Sequence, residues 1–317
     1  MRKEIALIFN PAAGRGKANR KRKKVEACLK AQNIPYKLFV TKSEDHLVNI
    51  ATQAVHKYPV IVGAGGDTTV TIIARQVFRS KKGNMLGVIG LGSINDLARE
   101  FGVLDIEQAC SAIKKGYTMS LDVGVLKTGN HRPPFIFLGQ SSLGLGVEVN
   151  RYVENWMEKH SIMSRFHSMA QTIAAMEGFY YSYKSKAVPL TLSLQQKEGT
   201  TSISTPFIIF TNTSISGREF RLSPNASPVD GKLDCCILNA ATFANFINAL
   251  IHLKRKTHLE AKKFEVIQDT HFKVYAPHPI EIQADGEIFQ SDGEIDISTL
   301  PRALKMIVSP DFKPWGN

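Results

Sequence analysis

The sequence predicts an α/β chain in two parts, a doubly wound N-terminal domain followed by a β-sandwich-like C-terminal domain. Three observations predict it. Short apolar runs alternate with amphipathic stretches through the first third. The loops that leave those runs are rich in Gly, Asn, Ser and Asp. Beyond Asp122 the texture changes to short apolar runs separated by Gly, Pro, Asn or Ser turns. With 317 residues the chain has room for two ordinary domains, and 43% hydrophobic against 21% charged residues is the balance of a globular protein, neither disordered nor fibrous.

The elements follow in order. Ile5 to Phe9 reads as a strand, and Lys17 to Gln32 as a helix that buries Val25, Cys28 and Leu29. Lys37 to Val40 is the next strand, and Ser43 is the N-cap of a helix reaching Lys57. Val60 to Gly63 and Leu86 to Ile89 are continuous apolar strands, the pattern of a parallel sheet covered by helices on both faces. This domain is expected to span residues 1–122. In the second domain, 123–300, strands are expected at Pro134 to Leu138, Leu190 to Leu194, Pro206 to Thr211, Leu233 to Leu238, Phe272 to Tyr275 and Ile280 to Gln283. Helical insertions are expected at Val147 to Tyr183 and Thr242 to His258. The remaining tail, 301–317, would dock back on the first domain.

Charge and cysteine content narrow the partners. Forty Lys and Arg against 28 Asp and Glu give a net charge of +12, which favours a phosphate-bearing partner: nucleotide, nucleic acid or anionic membrane. Cys28, Cys110, Cys235 and Cys236 are too sparse for a disulfide scaffold and lack zinc-ligand spacing, so buried thiols in a reducing cytoplasm are expected. The nine histidines show no ligand spacing either. No apolar stretch has the length of a signal peptide core or a membrane span.

In an open α/β sheet, ligands lie at the carboxyl ends of the strands. Three loops there are unusual: Asn10-Pro11-Ala12-Ala13-Gly14-Arg15-Gly16-Lys17, Gly63-Ala64-Gly65-Gly66-Asp67-Thr68-Thr69 and Gly90-Leu91-Gly92-Ser93-Ile94-Asn95-Asp96. Small residues lead the first into a helix N-terminus, where free N–H groups and the helix dipole favour an anion. Each loop alone is an ordinary way to leave a strand, but three on one rim point to a phosphate site.

With Ser227-Pro228-Val229-Asp230-Gly231 and Asp285-Gly286-Glu287 further on, these loops resemble, in order and spacing, the signatures of the diacylglycerol kinase catalytic family, which includes bacterial lipid kinases and sphingosine kinases. The resemblance spans most of the chain. It implies an ATP-binding domain like that of NAD kinases, a β-rich second domain and a site in the cleft between them. It implies that Asn10, Pro11, Gly14, Thr41, Gly65, Gly66, Asp67, Thr68, Thr69, Ser93, Asn95 and Asp96 contact ATP. It further implies that Asp230, with the carbonyls of Ser227 and Lys232, holds Mg²⁺, and that Glu287 accepts a proton with Asp285 beside it. Asp67 would act near the phosphates or their metal; otherwise it is the N-cap of the next helix.

Three positions depart from the family pattern. Thr68 stands where the family has a glycine, placing a β-branched side chain where the backbone could need positive φ. Ile72 replaces an acid, and Ile94 replaces a second glycine. The glycine-rich stretch after Thr211 is altered to Ser216-Gly217-Arg218-Glu219.

The expected activity is transfer of the γ-phosphoryl of ATP to a hydroxyl of diacylglycerol or a related lipid. A degenerate lipid- or nucleotide-binding relative and a soluble NAD kinase-like enzyme are the alternatives. The basic runs Arg15 to Lys24 and Lys254-Arg255-Lys256 with Lys262-Lys263 would meet an anionic membrane from its cytoplasmic side, or else are solvated helix faces. A nucleic-acid partner is disfavoured, because no stacking strip accompanies the charge. The Met- and aromatic-rich stretch from Trp156 to Tyr183 would form core or an acyl-chain pocket. Asp292-Gly293-Glu294 repeats the Asp-Gly-Glu triplet and reads as a plain turn.

Overall fold

The structure is a computed structural model that describes residues 4–129, 133–148, 151–152, 173, 176–178, 180–181, 184, 190–197, 199–217, 220–240 and 242–314. The expected insertion from Val147 to Tyr183, with Trp156, Met157, Met163, Phe166, Met169 and Phe179, lies mostly outside these residues, as do Arg218 and Glu219.

The first lobe alternates strand and helix: β1 (Ile5–Phe9), α1 (Lys17–Ala31), β2 (Tyr36–Val40), α2 (Glu44–Lys57), β3 (Val60–Gly65), α3 (Asp67–Ser80), β4 (Met85–Gly90), α4 (Asp96–Glu100) and α5 (Ile106–Lys115). The strands pair in parallel in the order β2-β1-β3-β4. α1 packs with α5 and α2 with α3, so both faces are covered and β1 is buried at all five positions. Ser43 caps α2 as expected, its Oγ accepting from His46 N at 3.1 Å.

The second lobe is a sandwich. It comprises β5 (Thr118–Thr128), β6 (Phe135–Phe137), β7 (Gln140–Gly144), β8 (Leu190–Gln196), β9 (Gly199–Thr205), β10 (Phe207–Thr211), β11 (Leu233–Leu238), α6 (Phe243–Lys254), β12 (Phe264–Asp269), β13 (His271–Tyr275), β14 (Ile280–Ala284), β15 (Glu287–Ser291) and β16 (Glu294–Ile307). One sheet runs β12-β11-β10-β7-β14-β15. The other continues the N-terminal sheet through β16, β13, β8 and β9, with β5 and β6 alongside. Phe137, Leu143, Phe210, Phe272, Ile282 and Ile295 meet between the sheets, and α6 covers the outer face with Phe246, Ala249 and Leu253. The helix expected to reach His258 ends at Lys254.

Two strands pass through both lobes. β16 pairs antiparallel with β5 along its length and with β13 at its start, and its last turn of pairing is parallel to β4, Lys305 opposite Met85. Residues 301–307, expected in a separate tail, are thus the second half of this strand. The register of β16 shifts between Leu300 and Leu304, around Arg302 at φ +53°. Asp122, fully buried on β5 opposite this bulge, secures it: Oδ1 accepts from Arg302 N at 2.7 Å and Oδ2 from Gly231 N at 2.6 Å. Its own amide donates to Pro228 O at 2.8 Å, and its carbonyl accepts from Asn212 Nδ2 at 3.0 Å. The residue where the texture of the sequence changes is the knot between the lobes.

Candidate active site between the lobes

The three glycine loops meet at the carboxyl ends of β1, β3 and β4. Asn10 Nδ2 donates to Thr69 Oγ1 at 2.9 Å and its Oδ1 accepts from Ala12 N at 3.0 Å, joining the first loop to the second. A Cβ on Gly92 would stand 2.5 Å from Gly66 Cα, so the third loop can pass the second only with a glycine at 92. Gly14, at φ +58°, approaches Leu91 O so closely that a Cβ would lie 2.7 Å away. Asn95 turns back on its own loop, accepting from Gly92 N at 2.7 Å and donating to Gly92 O at 3.0 Å. Thr41 is buried at the end of β2, its amide donating to Phe9 O at 2.9 Å. Pro11 and Ser93 sit half-buried on the same rim.

The structure corrects some local expectations. Thr68 is the second residue of α3 and exposed, with no positive φ, so its β-branch imposes no strain. In the third loop the left-handed position is Asn95, at φ +59°, not the residue at Ile94. The amides at the start of α1 are not free: those of Gly16, Lys17 and Ala18 donate to Ala12, Gly14 and Ala13 carbonyls, because Gly14, Arg15 and Gly16 all take positive φ and curl the chain on itself. Asp67 is not an N-cap. Gly66 holds that position, and Asp67 opens α3 with its Oδ1 accepting from Leu97 N at 3.0 Å. Burial, followed by the charge of neighbouring Asp96, pushes its pKa up from 3.8 to about 6, against the pull of the amides at Asn95, Asp96 and Leu97.

The acidic triplet reaches the same region through α3. Asp285, at φ +45°, accepts from the amides of Leu138 at 2.7 Å, Gly139 at 3.0 Å and Gln140 at 3.1 Å, and from Thr71 Oγ1 at 3.2 Å. Burial holds its pKa above the ordinary value despite these donors. Glu287 Oε1 accepts from Arg75 Nη1. Arg75 is buried; its Nε donates to Ile136 O at 3.3 Å and its guanidinium lies 3.7 Å from the Phe135 ring centroid. Thr71 and Arg75 follow Asp67 at intervals of four on one helix face, so one helix carries the glycine rim at its start and the triplet along its side. Asp67 and Arg75 are about 12 Å apart along the axis, at 1.5 Å per residue. Asp292 and Glu294 of the second triplet are exposed, and among the described residues neither enters an ion pair.

The loop after β10 latches onto α4 beside the rim. Asp96 Oδ2 accepts from Gly217 N at 2.6 Å, and Glu100 Oε2 accepts from Ser214 Oγ at 3.0 Å and Ile215 N at 3.2 Å. The Ser227–Lys232 loop lies beside Asp122. Asp230 Oδ1 accepts from Lys232 N at 3.0 Å, and Oδ2 accepts from Gln268 Nε2 at 3.5 Å. Ser227 Oγ is buried with no hydrogen-bond partner among the described residues. Among those residues no three His, Cys, Asp or Glu side chains cluster as a metal site. A divalent cation here would rest on one carboxylate, carbonyls and water, a donor set that fits magnesium.

Thr71, Arg75, Asp122 and Asn212 were not singled out from the sequence. For Thr71 and Arg75 a signal was present: polar residues four apart set among the apolar Val70, Ile72, Ile73, Ala74 and Val77 of the helix.

Comparisons with known proteins agree with this architecture. Residues 4–126 match the family model described as diacylglycerol kinase catalytic domain, and residues 140–308 the one described as YegS C-terminal NAD kinase beta sandwich-like domain. A diacylglycerol kinase of Staphylococcus aureus (strain bovine RF122 / ET3-1) is 25% identical over 292 residues, covering 90% of this chain and 87% of that protein. A diacylglycerol kinase of Bacillus subtilis (strain 168) is 23% identical over 295 residues, covering 90% of each. A crystal structure of a diacylglycerol kinase from Bacillus anthracis (strain Sterne) superposes with a TM-score of 0.72 at 17% identity, covering 98% of both chains. Another structure from that strain gives 0.78 at 20% identity, over 98% of this chain and 97% of its own. Fold and family models together define a phosphotransferase of the kinase class. The chain belongs to the diacylglycerol kinase catalytic family.

Proposed function

We propose that the protein is an ATP-dependent lipid kinase that phosphorylates a hydroxyl of diacylglycerol or a related lipid. The observation that carries this reading is α3, which starts at the glycine rim with Asp67 and holds Asp285 through Thr71 and Glu287 through Arg75. A phosphoryl group on the rim and a hydroxyl beside the triplet then face one another across a single helix.

The rim residues Asn10, Pro11, Gly14, Thr41, Gly65 to Thr69, Ser93, Asn95 and Asp96 cradle the nucleotide. Glu287 accepts the proton of the attacking hydroxyl while its oxygen bonds to the γ-phosphorus; the bond from that phosphorus to the β,γ-bridging oxygen breaks, and its electron pair leaves on ADP. Asp285, saturated by three amides, fixes the turn that presents Glu287. Mg²⁺ fits against Asp230 and the carbonyls of Ser227 and Lys232, where it would neutralise charge.

Lipid as acceptor is supported by the names of the relatives and by surface chemistry. Lys254, Arg255, Lys256 and Lys262 are exposed at the end of α6 near exposed Ile251, and several basic residues of α1 are exposed as well. Each Lys or Arg near anionic headgroups contributes about 1 kcal/mol. Among the described residues no helix is long and apolar enough to cross a membrane. The test offers γ-labelled ATP with diacylglycerol vesicles and, separately, with NAD. Label in the lipid fraction alone supports the reading, and label in NAD alone replaces it.

A further inference from the structure

We propose that Arg75 is the positioning residue of the acceptor side: it fixes the Glu287 carboxylate relative to α3 and so to the nucleotide rim. The inference rests on the kinase reading and names a residue that the family signatures quoted above do not include.

A guanidinium that is 9% exposed must be paired, because an uncompensated buried charge is strongly destabilising. Its pairing is specific. One edge meets Glu287, Nε meets the carbonyl of Ile136 and the flat face lies on Phe135, which in turn packs edge-on against Phe289 with centroids 4.5 Å apart. Three different contacts leave the planar group one orientation, which no lysine ammonium reproduces.

Glu287 needs such a partner. It is 34% exposed and follows Asp285 and Gly286, both at positive φ, so its side chain starts from a tight turn facing solvent. The charge of Arg75 also favours ionised Asp285, so one cation serves both acids of the triplet. Asp292-Gly293-Glu294 provides the contrast: both of its acids are exposed and, among the described residues, neither enters an ion pair. A purely structural ion pair would leave unexplained why the arginine sits on the helix that opens at Asp67, on the same face.

The experiment compares Arg75→Met, Arg75→Lys, Glu287→Gln and the Arg75→Met/Glu287→Gln double variant, each checked for a wild-type circular dichroism spectrum, in steady-state transfer from Mg-ATP to a short-chain diacylglycerol. Arg75→Met should lower kcat about 30- to 100-fold, no more than the roughly 10²–10⁴ that the positioned proton acceptor itself contributes, with KM for ATP changed less than about threefold. Arg75→Lys should recover only part of that loss, and the double variant should be no slower than Glu287→Gln. A kcat for Arg75→Met within about twofold of wild type, or losses that multiply in the double variant, would overturn the proposal while leaving the kinase reading intact. If Arg75→Met does not fold, the Arg75→Lys variant decides: full activity overturns the proposal. Wild-type protein that labels no lipid removes both.

Discussion

Asp67 and Asp285 carry the same functional group and burial raises the pKa of each, but their surroundings give them different work. Asp285 is bound by three backbone amides and a threonine, so it is an anchor. Replacing it with Ala strands those amides and should cost about 3 kcal/mol or more of unfolding free energy in urea titrations at pH 7. Asp67 faces the short helix α4 beside another acid, and its pKa of about 6 against 3.8 means that the folded state holds its proton more tightly than the unfolded chain. Stability therefore declines as pH rises from about 4 to about 6.5 and levels off above, because the folded state binds more protons in that window. Asp67→Asn should lack this component, so the stability of wild type relative to the variant should fall between pH 4.5 and 6.5. A pH-independent difference would contradict the assigned environment.

At the scale of elements, strand-loop-helix alternation was legible because buried parallel strands must be continuous apolar runs, and β1, β3, β4, α1 and α2 lie within two residues of their expected ends. The strands β5, β7, β9, β12, β15 and β16 were harder to read: each is half-polar or interrupted, as β16 is at Pro301-Arg302, and their pairing is decided by distant partners. The glycine rim was legible because close backbone passage demands glycine; the polar spacing of Thr71 and Arg75 was visible too, but not their partners, since an ion pair spanning 212 residues leaves no local trace of what it meets. The tightest passage gives a test. Gly92→Ala brings a methyl against Gly66, so the rim must open. The melting-temperature rise on adding millimolar Mg-ATP, expected for wild type because ligand binds only the folded state, should be largely lost in this variant. An undiminished rise would mean that the nucleotide does not use this contact.

For the whole molecule, β5 and β16 run through both lobes and Asp122 ties their bulge to the 227–232 loop, so the lobes share backbone hydrogen bonds as well as an interface. Ending the chain at residue 300 would remove the strand paired to β4 and expose the faces that Leu304, Met306, Ile307 and Val308 cover. That truncated chain should show no cooperative thermal transition, and full-length protein should show one; two separate transitions would indicate lobes that fold independently.

The shared framework is what lets a helix from one lobe hold an acid from the other. The most direct measurement is therefore the initial rate at which purified protein moves labelled γ-phosphate from Mg-ATP into diacylglycerol-containing vesicles, taken side by side for wild type and Glu287→Gln. The account predicts steady formation of labelled phosphatidic acid by wild type and a rate at least about 100-fold lower for the variant. Equal rates for the two proteins, or none from either, would contradict it.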